Sequence, residues 1–279
     1  MMNEQTAIAL ASHFCETIGA TERRRSIRSA EWLELERSYF QKAMVLLVSA
    51  FLLLDRHFPF TDPKQYAASA LGFSIFDHLR QGWLSLEQNY CLVSMTIARS
   101  IFEAVVFLTA IGVGTAADFG GRSNATIDAW LAKWWKDEFE PGTVLKLIGL
   151  VDREMRKRST SNRQSEWARS SEVLWRTIRG WAHAGWVPIA TSGVRVRYKE
   201  EQDNRPAISL GGSLASFEQS KAVGYLYSHF VVDAVFAMRL AFTVQFADYV
   251  EWSRRVDTLT TEHRRWARSI DSSPKNLWS

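Results

Sequence analysis

The sequence predicts a mainly α protein: a multi-helix bundle with long apolar central helices and one small β-hairpin near residues 193–210. Glycine and proline, which interrupt regular elements, occur only 15 and 6 times in 279 residues, so long elements are expected. Apolar residues recur at helical spacing in several segments. They make up 47% of the chain against 23% charged residues, a globular composition with enough apolar surface for a large core.

The predicted helices are defined by their ends and by their apolar pattern. Residues 29–55 start amphipathic and become wholly apolar, and Pro59 and Pro63 break the chain after them. Four glycines in residues 112–123 predict a loop, and Pro141 suits the first position of a later helix. The predicted helices cover about residues 29–55, 66–83, 86–111, 126–138, 141–157, 165–183 and 217–256.

The connections between these helices also carry signals. Residues 153–163 are basic and rich in serine and threonine, which predicts a solvated connection. Residues 193–210 alternate apolar and basic side chains around a polar turn, the pattern of a β-hairpin. Residues 257–279 read as a basic tail. The helices on both sides of residues 153–163 are too apolar to be stable as separate units. We therefore predict a single helical domain over residues 1–279, with its core at about 29–256.

Composition argues against several kinds of site and compartment. Cys15 and Cys91 are far apart, which favours a reducing cytoplasm over a disulfide framework. The six histidines show no zinc-ligand spacing, so neither a metal nor a cofactor is expected. Residues 1–16 lack the basic start and apolar stretch of a secretory signal. The net charge of +4 permits a polyanionic partner such as RNA without requiring one.

The central helix carries an unexpected pair of charges. Residues 91–114 are long and apolar enough to suggest a membrane span, but Arg99 and Glu103 at the centre of this stretch argue against lipid. The two residues are four apart, so they are neighbours on one stripe of the helix and are expected to form a buried ion pair. A buried pair often fails to recover its desolvation cost. It is therefore either a structural salt bridge that fixes helix register or one wall of a functional pocket.

A second polar stripe lies on the predicted helix over residues 165–183. Glu172, Arg176, Arg179 and His183 follow one another at steps of four, three and four residues and share one face. Such a row often faces water, but tryptophans at positions 175, 181 and 186 make full exposure less expected here. His183 lies at the helix end, where the helix dipole favours an imidazolium and a ligand can approach.

The two stripes together resemble the HEPN superfamily of helical-bundle proteins, over about residues 29–256. The resemblance is carried by Arg99-Ser-Ile-Phe-Glu103 and by Arg176-Thr-Ile-Arg-Gly-Trp-Ala-His183. It implies a metal-independent endoribonuclease, frequently a homodimer and frequently in a toxin or antiviral defence system with an operon-encoded partner. His183 would take the 2′-hydroxyl proton, and Arg176 or Arg179 would stabilise charge on the phosphate. Arg99 would add to this, with Glu103 orienting it or His183.

The sequence leaves open a second function and the role of one further residue pair. The protein could instead be a non-catalytic regulatory or binding module whose polar pocket holds a ligand or a partner segment. His229 and Asp233, four residues apart on the last predicted helix, are either a hydrogen-bonded core pair or part of a pocket. The nuclease hypothesis makes a geometric prediction: the Arg99 stripe and the Arg176 stripe face each other.

Overall fold

The computed structural model describes residues 33–55, 63–88, 90–113, 143–159, 165–182, 194–198, 206–210, 217–242 and 247–271. The predicted mainly α class is confirmed, because seven helices account for nearly all of these residues. The helices are α1 (Glu34–Asp55), α2 (Pro63–Glu87), α3 (Cys91–Val113), α4 (Thr143–Ser159), α5 (Glu166–Ala182), α6 (Phe217–Ala241) and α7 (Ala247–Asp271).

Helices α3 and α6 form the centre of the bundle, as their nearly continuous apolar sequences require. They pack against each other, and α1 and α2 pack on α6, with α2 also lying along α3. Helices α4 and α5 pack on the remaining side of α3, whereas α7 lies across α1 and α6. The core includes fully buried Phe107, Tyr227 and Phe230. The Arg99 stripe and the Arg176 stripe are therefore carried by two helices in direct contact, α3 and α5.

A buried polar chain joins the three helices α2, α3 and α6. Tyr227 of α6 donates its hydroxyl proton to the Ser94 carbonyl of α3 at 2.6 Å. The Ser94 hydroxyl in turn donates to the Gly82 carbonyl of α2 at 3.0 Å. Burial raises the pKa of Tyr227, so the phenol stays neutral and remains a donor. Gly82 has no side chain, and this allows the Tyr227 ring to lie directly against the α2 backbone.

The prediction of one helix over residues 217–256 is wrong, because α6 ends at Ala241 and α7 begins at Ala247. The Tyr249 hydroxyl contacts the carbonyl oxygens of Arg239 and Phe242, groups that a helix C-terminus leaves without intrahelical partners. Residues 242–246 contain neither glycine nor proline, so no local signal marked the break. The end of α6 instead coincides with these contacts from the first turn of the next helix.

Several other predicted boundaries change. Leu86 belongs to α2 and not to the central helix, which begins at Cys91. The basic connection predicted from residue 153 is helical through Ser159, as part of α4. The basic tail predicted from residue 257 is helical through Asp271, and it is anchored by buried residues on one face, Leu259, Thr260 and His263. The predicted helix over residues 126–138 and most of the predicted loop at 112–123 lie outside the described residues.

Two short strands lie between α5 and α6. Strand β1 (Val194–Tyr198) pairs antiparallel with β2 (Pro206–Leu210), with Val196 opposite Ile208. The turn over residues 199–205 lies outside the described residues, so the hairpin near 193–210 stays a prediction.

Two of the described helices are long and apolar enough to cross a membrane by length and composition alone, over Glu34–Leu54 and Val93–Val113. The second is mostly buried within the bundle. This is weak evidence for a membrane, because a buried core helix passes the same test.

Candidate functional site

The Arg99 and Glu103 pair forms as its spacing predicts, but it lies at the edge of the core. Arg99 Nε donates to Glu103 Oε1 at 2.9 Å, and the two side chains are 36% and 23% exposed. The expectation of a buried pair is therefore wrong. Val106 and Ala110, further along the same stripe, are fully buried, so the part of the stripe that carries the pair is the part that reaches the surface. At this edge, solvent or a ligand can reach the guanidinium.

Trp175 of α5 connects this edge to the second stripe. Its ring stacks against Phe102 of α3 with ring centroids 5.9 Å apart. The Arg99 guanidinium carbon lies 5.7 Å from the Trp175 ring centroid, within the range of a cation–π contact. Arg99 is therefore held from two sides, by a carboxylate on its own helix and by an aromatic ring on the next.

Helix α5 is amphipathic, and its buried face fixes where the arginines lie. Ala168, Ser171, Trp175 and Ile178 are buried at the spacing of one helical face. Arg176 and Arg179 are exposed. Trp175, on the buried face, is the residue of α5 that contacts Arg99. Arg179 follows Trp175 by about one helical turn but is exposed, so the facing of the Arg99 stripe and the Arg176 stripe stays a prediction.

The start of α5 is fixed by a buried carboxylate of α4. Asp152 Oδ1 accepts the Ser165 backbone N–H at 2.7 Å, and Asp152 Oδ2 pairs with Arg156 Nε at 2.9 Å. The Ser165 hydroxyl accepts the Ala168 N–H at 3.2 Å, which caps the first turn of α5. Asp152 is only 5% exposed. It therefore sets the corner from which α5 extends along α3.

Replacing Asp152 with alanine is expected to destabilise the protein by about 2 kcal/mol, because Ser165 loses the acceptor of its N–H at a partly buried site. Asp152→Asn retains an acceptor oxygen and should cost roughly half as much. Chemical denaturation of both variants measures the difference. Equal stabilities for the alanine variant and the wild type would contradict the positioning role of Asp152.

His183 lies outside the described residues, directly after Ala182 at the end of α5. The structure thus brings Arg99, Glu103 and the arginine-bearing helix α5 together, while the position of His183 relative to them stays a prediction. The sequence indicated only that Trp175 limits the exposure of α5, and its contact with Arg99 carried no sequence signal. Asp152 was also not predicted, because it lies thirteen residues before Ser165 and no spacing rule connects the two.

Other residues of the described segments offer few competing chemistries. No group of three or more His, Cys, Asp or Glu side chains there is arranged to hold a metal ion. Cys91 is a free thiol, but burial raises its pKa to about 11, so it stays protonated and is a poor nucleophile. The Cys91 sulfur instead lies 3.6 Å from the Ser220 hydroxyl of α6.

In comparisons with known proteins, no family model, curated protein or solved structure matches this chain. The case for a function therefore depends on the residues of the site alone.

Proposed function

We propose that the protein is a HEPN-like, metal-independent endoribonuclease that acts as a cytoplasmic homodimer in a toxin or antiviral defence setting. The observation that best supports this proposal is the contact of Arg99 with Trp175. It brings the partly exposed Arg99 against α5, the helix whose exposed residues include Arg176 and Arg179. Function does not follow from a helical bundle as such, so the proposal rests on these side chains.

RNA cleavage of this kind needs a general base and a cation that stabilises the phosphate. His183 takes the proton of a ribose 2′-hydroxyl, the 2′-oxygen attacks the adjacent phosphorus, and the bond to the 5′-oxygen breaks. The leaving oxygen receives a proton from water, which leaves a 2′,3′-cyclic phosphate and a 5′-hydroxyl end. Arg176 or Arg179 stabilises the negative charge that builds on the phosphate oxygens, since a guanidinium binds such oxygens in a bidentate manner.

Arg99 is assigned to the same phosphate in a supporting role. Its Nε donates to Glu103, and the two terminal nitrogens of the partly exposed side chain are the donors assigned to the phosphate. Trp175 limits the rotamers of the guanidinium from the other side. A preorganised cation of this kind costs little reorganisation when charge develops on the substrate.

The direct test is cleavage of an RNA oligonucleotide by the purified full chain in the presence of EDTA. We expect products with 2′,3′-cyclic phosphate ends, and no cleavage of a matched oligonucleotide that carries 2′-deoxyribose at the cleaved position. Separate Arg176→Ala and Arg179→Ala variants identify which arginine contacts the phosphate. Intact RNA under all conditions, including added operon-encoded partner proteins, would remove the proposal.

Arg99→Ala separates a functional role from a structural one. The ion pair is partly exposed, so its loss should cost at most about 1 kcal/mol of unfolding free energy, and loss of the cation–π contact adds about 0.5–1 kcal/mol. Cleavage should fall about 100-fold, as when a charge-stabilising donor is removed. Arg254→Ala, which removes an exposed ion pair with Glu251 on α7, is the matched control and should leave cleavage unchanged. Loss of stability without loss of cleavage would mark the Arg99 pair as structural.

A second candidate function is a non-catalytic binding module, which exposed apolar side chains on α1 and α2 favour. Leu52 is 63% exposed, Val45 56% and Phe73 55%, and such side chains on neighbouring helices are typical of a partner surface. This function predicts that Leu52→Asp weakens partner binding at that surface, while no RNA turnover is detected with any variant. The EDTA assay therefore discriminates the two functions.

A further inference from the structure

The boundary of α1, α6 and α7 contains two neighbouring histidines, and one of them, His263, is enclosed by aromatic rings. His263 of α7 is 1% exposed, and its ring centroid lies 5.6 Å from that of His229 of α6. Tyr39 of α1 contacts the His263 ring edge-on at 5.4 Å, and Trp266 does so at 5.3 Å. Tyr225 of α6 stacks on His263 at 6.2 Å. A single imidazole thus contacts residues of all three helices.

The hydrogen bonds around His263 fit its neutral form. The Ser228 hydroxyl has one proton, which it donates to the Tyr225 carbonyl at 2.7 Å. The contact of 3.3 Å between Ser228 Oγ and His263 Nε2 is therefore a bond that the imidazole donates. A Ser–His contact also suggests a nucleophile and its base, but Ser228 is 0% exposed and no substrate can reach it. The contact therefore joins α6 to α7 and does not serve catalysis.

The groups that face this cluster disfavour a second proton on His263. Burial, nearby His229 and Arg264 together lower the pKa of His263 to about 3. His229 Nε2 lies 3.3 Å from Asp233 Oδ2, and burial raises the pKa of Asp233 despite His229 and Arg264. The titratable and charged groups that contact or act on the cluster are Tyr39 and Lys42 on α1, Tyr225, His229 and Asp233 on α6, and Glu262 and Arg264 on α7, while Glu36 of α1 and Lys221 of α6 act on each other nearby along the same two helices.

We propose that His263 is a pH-sensitive latch: its neutral imidazole holds the C-terminal half of α7 on α1 and α6, and its protonation at acidic pH releases that segment. The physical reason is that a charged imidazole would lie among four rings and beside Arg264 in a site closed to water. Release of the C-terminal half of α7 exposes the charged imidazole to solvent. The His229 and Asp233 pair, whose role the sequence left open, then belongs to the same latch.

The sign of the pH dependence follows from the two states. A free histidine has a pKa of about 6.5, so release takes up one proton below that pH. The stability of the latched state is complete above pH 6.5 and is lost as the pH falls. Between pH 7.5 and pH 5.5 the released population should rise about tenfold from this single proton. Glu36 and Asp233, whose pKa values burial raises, bind protons in the folded state and oppose the effect at lower pH.

Hydrogen exchange of the full chain at pH 7.5 and pH 5.5, corrected for the intrinsic exchange rate, tests the latch. We expect amides of residues 256–271 to show about a tenfold increase in opening, while amides of α2 and α3 do not change. His263→Phe keeps an aromatic ring in place and should abolish the increase. His263→Gln keeps a neutral donor toward Ser228 and should do the same if the phenylalanine variant fails to fold. His78→Gln, on the outer surface of α2, is the control and should respond like the wild type.

Two results would overturn the latch. One is opening of residues 256–271 that does not depend on pH in the wild type. The other is an undiminished pH response in the folded His263 variants, since the proton would then bind elsewhere.

Discussion

Gly82→Ala is expected to lower the free energy of unfolding by about 2–3 kcal/mol, even though alanine is the better helix former by about 1 kcal/mol. An added Cβ at Gly82 would overlap the Tyr227 hydroxyl oxygen and the ring carbon that bears it. Tyr227 is fully buried, so its ring cannot swing into solvent. Helices α2 and α6 must therefore separate, and the hydrogen bond from Tyr227 to Ser94 is strained.

Gly149→Ala is the matched control, because nothing lies within 4 Å of a Cβ built at this position on the exposed face of α4. It should stabilise the protein by about 0.5–1 kcal/mol, since alanine loses less backbone entropy on folding. Chemical denaturation measures both variants. In a Tyr227→Leu background the Gly82→Ala change should cost less, because the overlapping atoms are gone. A stabilising effect of Gly82→Ala in the wild type would contradict the close contact of α2 and α6.

His183→Ala is expected to reduce RNA cleavage by about 10²–10⁴-fold, the usual contribution of a general base, if the proposed function holds. A histidine base acts in its neutral form, so the wild-type rate should fall as the solution is made acidic. The residual rate of the variant should lack this fall. Because His183 follows the last described turn of α5, we expect the helix content of the variant to match that of the wild type.

His78→Ala provides the control for this measurement. His78 is bonded to the Ser74 carbonyl on α2, a helix that carries none of the proposed catalytic residues, and its removal should leave cleavage intact. A His183→Ala variant that cleaves at the wild-type rate would show that another group serves as the base. The proposed role of His183 would then be abandoned, even if RNA cleavage itself is observed.

Helical periodicity predicted most of the described elements, because it is a local property of the chain. The first and last residues of the helices were predicted less well. The end of α6 depends on Tyr249, which contacts carbonyls seven and ten residues earlier along the chain. In α7, the residues that bind the bundle, such as Leu259 and His263, are separated by arginines. This is why the sequence predicted a basic tail from residue 257.

The candidate site was predictable in part. The spacing of Arg99 and Glu103 correctly predicted their ion pair, since side chains four residues apart on a helix are neighbours. The degree to which the two side chains are exposed was not predictable, because it depends on which other helices cover that stripe. The Trp175 contact, the Asp152 corner and the His263 cluster all join residues of different helices, so no spacing rule identifies them.

The sequence by itself determined the helical class, the amphipathic face of α5 and the pairing of Arg99 with Glu103, because each depends on residues within a few turns of one helix. The tertiary structure decided that this pair lies at an exposed edge beside α5 and not within the core. It also decided that His229, predicted with Asp233 as either a core pair or part of a pocket, contacts His263 across a helix boundary. Contacts between helices arise from the packing of whole faces, and that packing is fixed only when the bundle assembles.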